Sequence, residues 1–164
     1  MKNYSDPSSK EMRKVTLCLL VKNEKVLLAM KKRGFGAGKW NGVGGKLQEG
    51  ESVKDAMIRE TLEEISVTPK EYFQAGTIKF FFDGKPEFDQ EMHVFVCRDW
   101  LGNPEESDEM SPKWFDVGSL PFDDMWEDDR VWLPLVLSGK TVNAAFFFDG
   151  LQKLTDYRLE PQPV

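Results

Sequence analysis

The chain has 164 residues, 40% of them apolar and 30% charged, with a formal net charge of −6. That length suits one compact domain with a sizeable core, and the acidic balance argues against a nucleic-acid polymer or an anionic membrane as partner. No apolar run approaches the ~20 residues that span a bilayer, and the start, MKNYSDPSSKEMRK, lacks the apolar centre of a secretory signal. A cytoplasmic protein is expected, with a mitochondrial or nuclear share left open.

Residues 1–13 read as a flexible tail and 14–164 as a single domain. Apolar runs over 15–21 and 25–30, separated by Lys22-Asn23-Glu24, predict a hairpin. The stretch from Gly34 to Gly45 carries too many glycines for a helix but lets backbone approach a ligand closely. Ser52-x-x-Asp55 has the form of a capping box and starts a helix over 52–65. Ile58, Leu62 and Ile65 are its expected core face, opposite the carboxylates, and Thr68-Pro69 is its stop. Strands are predicted over 72–82 and 92–97, with a turn at Asp83-Gly84 between them, and a short one over 113–117 after a loop. A second helix is predicted over 129–137, with Pro134 awkward inside it, before final strands over 142–148 and 154–159. The class is α+β, a mixed β-sheet packed between helices as an α/β/α sandwich. Cys18 and Cys97 lie in apolar strand runs and read as buried free thiols. His93 reads as structural, and Trp100, Trp114, Trp132 and Phe146 to Phe148 as core.

The chemistry concentrates at Arg59-Glu60-Thr61-Leu62-Glu63-Glu64. On a helix, Glu60, Glu63 and Glu64 stand at i, i+3 and i+4 and share one face. Carboxylates at that spacing repel, unless a hard divalent cation with oxygen ligands reverses the sign. By itself the run describes a solvated acidic face equally well. The Gly34 to Gly45 stretch fits neither the Walker nor the Rossmann glycine pattern.

Joined together, the two segments resemble a known family. Gly45-x5-Glu51-x7-Arg59-Glu60-x-x-Glu63-Glu64 is similar to the Nudix box of hydrolases that act on nucleoside diphosphates linked to another group. Thr61 and Ser66 depart from the pattern, standing where a bulky aliphatic and a glycine are usual. The resemblance implies a Nudix fold and a Mg²⁺ cofactor, with Mn²⁺ a substitute, held by Glu60, Glu63, Glu64 and the carbonyl of Gly44. It implies that Arg59 orients the carboxylates, that Glu51 anchors the loop to the helix, and that Gly44 and Gly45 admit phosphates.

Outside the box, the segments 31–42, 106–110 and 121–129 resemble the eukaryotic MutT homologues within that family, which hydrolyse oxidised purine nucleoside triphosphates. That resemblance implies that Asn41, Asp128 and Asp129 bind the base edge and that Trp126 stacks on the purine. Phe35, Phe80 and Met110 would wall the pocket, with Thr16 and Lys31 at the sugar and Val43 and Phe81 nearby. Glu109 would reach the metal from its loop, and either Glu64 or Glu109 would serve as general base. On the residues alone, Asp128-Asp129 also suits a helix N-cap with an acidic first turn. Adjacent carboxylates in an apolar pocket cannot easily both ionise, so the pair would keep a proton. The expected activity is Mg²⁺-dependent conversion of 8-oxo-dGTP and 2-hydroxy-dATP to the monophosphate and pyrophosphate by a monomer. The alternatives are a Nudix pyrophosphatase acting on a methylated purine triphosphate or a dinucleoside polyphosphate, or a nucleotide-binding protein without turnover.

Overall fold

The computed structural model describes residues 12–150 and 152–163. Two strands, β1 (Arg13–Lys22) and β2 (Lys25–Lys31), form the expected hairpin. Asn23 and Glu24 both take left-handed φ, 54° and 62°, the geometry that turns a right-twisted ribbon back on itself. The hairpin pairs only at Val21 with Val26 and Lys22 with Lys25 before its arms diverge. Along β1 the open edge is taken by the glycine stretch instead: Thr16 N–H donates to Gly45 O at 2.9 Å and Cys18 N–H to Val43 O at 2.6 Å. Glycine is obligatory at position 44, because a Cβ there would sit 1.7 Å from Thr16 O. Two residues of that stretch, Trp40–Asn41, form β3 on β2, which the sequence did not reveal.

Helix α1 (Val53–Ile65) begins where predicted, with Ser52 Oγ accepting from Asp55 N–H at 3.1 Å. Ser66 takes the left-handed C-cap conformation (φ 62°, ψ 30°) that a glycine would occupy without strain. The helix therefore ends at Ser66, and Pro69 already lies in β4 (Thr68–Asp83), opposite Trp100 of β5 (Gln90–Leu101). Next come β6 (Met110–Asp116), α2 (Asp129–Leu137), β7 (Lys140–Asp149) and β8 (Lys153–Pro163). Pro134 does not shorten α2, which covers the predicted span. The strands join in the order β3-β2-β1-β5-β4-β7-β8, with β6 also on β2; β1–β5 and β4–β7 are parallel and the rest antiparallel.

One face of this mixed sheet packs Leu19, Val94, Ile78 and Phe146 against Trp132, Leu133 and Val136 of α2. The opposite face packs Cys18, Leu20 and Cys97 against Met57 and Ile65 of α1. The α/β/α arrangement is thus as expected, and both cysteines are buried free thiols. Two details are corrected. The expected tail falls mostly outside the described residues, but Met12 is buried beside Phe81 and Phe147, and Arg13 already belongs to β1. The core face of α1 is Ala56, Met57, Thr61 and Ile65, whereas Leu62 is 50% exposed. Thr61 can be buried because its hydroxyl donates to Met57 O at 2.7 Å, hiding its polarity inside the helix. At 100° per residue, Glu60 and Glu64 consequently border the buried face instead of opposing it.

Candidate active site

Arg59 organises the start of the site. Its Nε and Nη2 form a two-pronged contact with Glu51 at 2.8 and 2.9 Å. Nη1 reaches Glu60 at 2.9 Å and Glu63 at 3.1 Å, and Nη2 also donates to Lys46 O at 3.1 Å. All the donors of the guanidinium fork are engaged, which fastens the end of the glycine stretch to α1. The Arg59 hydrogen bonds, then that from Gln48 N–H, hold Glu51 down at about 2, so its charge is permanent near neutrality.

The glycines meet the acidic helix closely. A Cβ on Gly45 would lie 2.5 Å from the Glu60 carboxyl carbon, and Gly44 N–H donates to Glu64 Oε2 at 3.4 Å. Burial, followed by the Glu60 charge, pushes Glu64 up to about 8. Two crowded, half-buried carboxylates with backbone pressed against them form an all-oxygen donor set suited to a hard divalent cation. Among the described residues no three acidic, cysteine or histidine groups are gathered as a metal site. The reason is visible: Glu63 points to Arg59, and Glu109 is held by Arg33 through Nη2 at 2.8 Å and Nε at 3.3 Å. The structure therefore brings together Arg59, Glu60, Glu64, Gly44 and Gly45, but does not bring Glu109 to them. Lys32 is likewise paired, with Glu106, and of the run Lys31-Lys32-Arg33 it is Lys31 that lines the neighbouring cavity.

That cavity, about 410 Å³, adjoins the glycines and opens beneath the 34–39 loop. Thr16, Lys31, Phe35, Asn41, Gly44, Gly45, Phe80, Met110, Trp126, Asp128 and Asp129 all line it. Phe35 sits 5.2 Å from Trp126 between ring centres, and Lys39 Nζ lies 5.5 Å over the indole. Asn41 accepts from Gly42 N–H at 2.9 Å through its side-chain oxygen, leaving the NH₂ group as donor. Asp128 occupies the N-cap position of α2 but makes no capping bond; its Oδ2 accepts from Trp132 Nε1 at 2.7 Å. Asp129 is buried, and its Oδ2 and the Thr16 hydroxyl have no hydrogen-bond partner among the described residues. Burial raises both acids, Asp128 to about 6 and Asp129 well above its ordinary value, the latter also through the charge of Asp128. An unpartnered buried acceptor costs about 1–3 kcal/mol, which a ligand donor can offset.

Several lining residues escaped the sequence. Phe88 stacks on Phe35 at 5.1 Å, and Phe148, expected in the core alone, meets Trp126 edge-on at 6.4 Å. Phe82 and Met92 also contribute. Strand alternation places Phe80, Phe82 and Phe148 on the cavity side, a signal available once the register is known. Val43 and Phe81, expected near the pocket, instead belong to the core under α1 and to the cluster around Met12. His93 is structural: it sits between Gln74 and Glu91, at 2.9 and 2.8 Å, outside the cavity lining.

A sheet between two helices, with an arginine-clamped acidic helix beside a glycine stretch, defines a Nudix hydrolase, and the chain belongs to that family: the NUDIX domain model matches residues 11–136. It is 47% identical over 146 residues to the oxidized purine nucleoside triphosphate hydrolase of Danio rerio, covering 89% of this chain and 93% of that protein. To the protein of the same name from Mus musculus it is 44% identical over 144 residues, covering 88% and 92%. Among solved structures it resembles the mutator MutT protein of Bacillus halodurans, with a TM-score of 0.79 and 27% identity over 93% of this chain and all of that one.

Proposed function

We propose that this protein hydrolyses oxidised purine nucleoside triphosphates, 8-oxo-dGTP and 2-hydroxy-dATP, to the monophosphate and pyrophosphate, and so clears the nucleotide pool. The observation that carries this reading is the buried Asp128–Asp129 pair on the wall of an aromatic cavity that also reaches Gly44 and Gly45, the glycines pressed against Glu60 and Glu64. The names of the zebrafish and mouse relatives support it. Glu60, Glu63 and Glu64 would hold Mg²⁺, and bound there the cation would neutralise diphosphate charge and make a water more acidic. Arg59 keeps the Glu60 carboxylate in place, and Gly44 and Gly45 let the diphosphate lie against backbone. Trp126 takes a face of the purine and Phe35 walls the pocket, while Asn41 and the two aspartates read its edge.

A pair of acids sharing a proton offers both donor and acceptor, and the proton can change places. This lets one pocket accept the 8-oxo-guanine edge and the 2-hydroxy-adenine edge. Asp128→Asn and Asp129→Asn should therefore lose the two activities unequally; equal losses would contradict proton sharing. The enzyme acts as a monomer in the cytoplasm, a placement supported by the two free thiols. The deciding experiment is a kcat/KM panel of oxidised, methylated and unmodified purine triphosphates and dinucleoside polyphosphates, with pyrophosphate release followed. A best substrate outside the oxidised purines would overturn the substrate assignment, and absence of Mg²⁺-dependent turnover would leave a binding protein.

A further inference from the structure

Arg13 is the one arginine on the cavity wall, and among the described residues it has no acidic partner. It opens β1 on the same face as Val15 and Leu17, and its register partner on β5 is Gln90, which also lines the cavity. Gln90 Oε1 accepts from Arg13 Nη2 at a long 3.4 Å. Arg13 Nε is buried without a partner among the described residues. The contrast with other arginines is plain: Arg59 engages every donor, and Arg33 and Arg130 each pair with a carboxylate. A half-buried guanidinium facing a cavity with most of its donors unused is costly, and an oxygen-bearing ligand relieves that cost. Register places this cation on β1, whereas the acids Asp128 and Asp129 stand at the start of α2, so two separate parts of the wall carry opposite charge.

We infer that Arg13, steadied by Gln90, binds an oxygen of the nucleotide through its unused guanidinium N–H groups. The inference rests on the reading that this cavity takes a nucleotide. The chemistry is a charge-assisted N–H···O contact, and the oxygen belongs either to a phosphate or to the exocyclic carbonyl of the oxidised base. Gln90 is a positioning residue, since it holds one edge of the fork and leaves the other free.

The test measures dissociation constants by calorimetry without metal, for 8-oxo-dGMP, 8-oxo-dGTP and dGTP, in the full chain and in Arg13→Met, which keeps the apolar stem. Loss of one charge-assisted contact should weaken binding on the order of tenfold or more. A loss that grows from monophosphate to triphosphate, alike for both bases, assigns the oxygen to phosphate. A loss equal for the two 8-oxo nucleotides and absent for dGTP assigns it to the base carbonyl. Unchanged affinities for all three overturn the inference, and if Asp129→Asn still loses binding, the nucleotide reading survives that failure. If the unaltered protein binds none of them, the nucleotide reading itself falls, and the inference with it. Gln90→Glu gives the guanidinium a carboxylate partner, so it should raise Tm while weakening nucleotide binding; a raised Tm with unchanged affinity means a merely structural pair and also overturns the inference. The ¹H–¹⁵N resonance of Arg13 Nε in the unaltered protein gives a reading independent of any variant. It should shift on nucleotide addition, and a resonance that does not move counts against the contact.

Discussion

Helix α1 and the start of helix α2 each crowd carboxylates together, and the chain handles the two crowds in opposite ways. On α1 the fork of Arg59 reaches Glu51, Glu60 and Glu63 and holds Glu51 at about 2, whereas Glu64, which the fork does not reach, is pushed by burial up to about 8. At α2 no cation pairs with Asp128 or Asp129 among the described residues; both are buried and the indole of Trp132 donates to Asp128. Carboxylates clamped by a guanidinium suit a metal–diphosphate centre, and a buried pair that keeps a proton suits recognition of a neutral base edge. The same functional group becomes two chemical tools because one site supplies a guanidinium and the other an aromatic wall.

The sharpest way to separate the two sites is Glu64→Gln. It should reduce kcat on the order of a thousandfold while nucleotide affinity, measured by calorimetry, stays within about threefold. Turnover that persists would remove Glu64 from the metal-binding set. Arg59→Lys keeps the charge but loses the fork, and should cost about 2 kcal/mol of stability in urea unfolding together with most of the activity. A variant with full stability and activity would show that the clamp is a surface pairing without consequence.

Asp128 and Glu51 should also respond oppositely to pH. Asp128 is raised from 3.8 to about 6 by burial, so between those values the folded chain keeps a proton that the unfolded chain has lost. Its stabilising contribution is complete below 3.8 and declines as pH rises through about 6. Glu51 is lowered from 4.5 to about 2, so its contribution is present above 4.5 and is lost as pH falls toward 2. Urea midpoints over about pH 4 to 7 should thus fall less steeply in Asp128→Asn than in the unaltered chain. An identical slope would assign the titration to another group. The smallest effect expected is Ser66→Gly, which relieves the left-handed cap and should raise stability by about 0.5–1 kcal/mol, read as a higher Tm.

Local features were legible in the sequence because they depend on neighbours a few residues apart. The start of α1 at Ser52, the hairpin turn at Asn23-Glu24 and the spacing of Glu60, Glu63 and Glu64 all belong to one helical turn or one loop, whereas the end of α1 falls at Ser66 and not at the expected Thr68-Pro69. Residues of the cavity were legible where segments 31–42 and 121–129 carried a family pattern. The exceptions depend on pairing across long stretches of chain. Leu62 has the period of a core residue, yet α1 lies on the sheet through Met57, Thr61 and Ile65, and Leu62 faces outward. Phe81 and Phe82 look equivalent in sequence, but strand alternation sends one to the Met12 cluster and the other to the cavity.

The sequence by itself determined that this chain concentrates acid on one helix behind a glycine stretch, because spacing along a helix fixes which side chains share a face. Only the tertiary structure decided which acids meet and which are diverted. Glu109 turns to Arg33, Glu60 and Glu64 meet against Gly44 and Gly45, and Arg13 reaches the cavity with no acidic partner among the described residues. Those outcomes depend on the register between β1, β5 and the glycine stretch, and register is set by burying both faces of the sheet at once, a condition that no short segment can express.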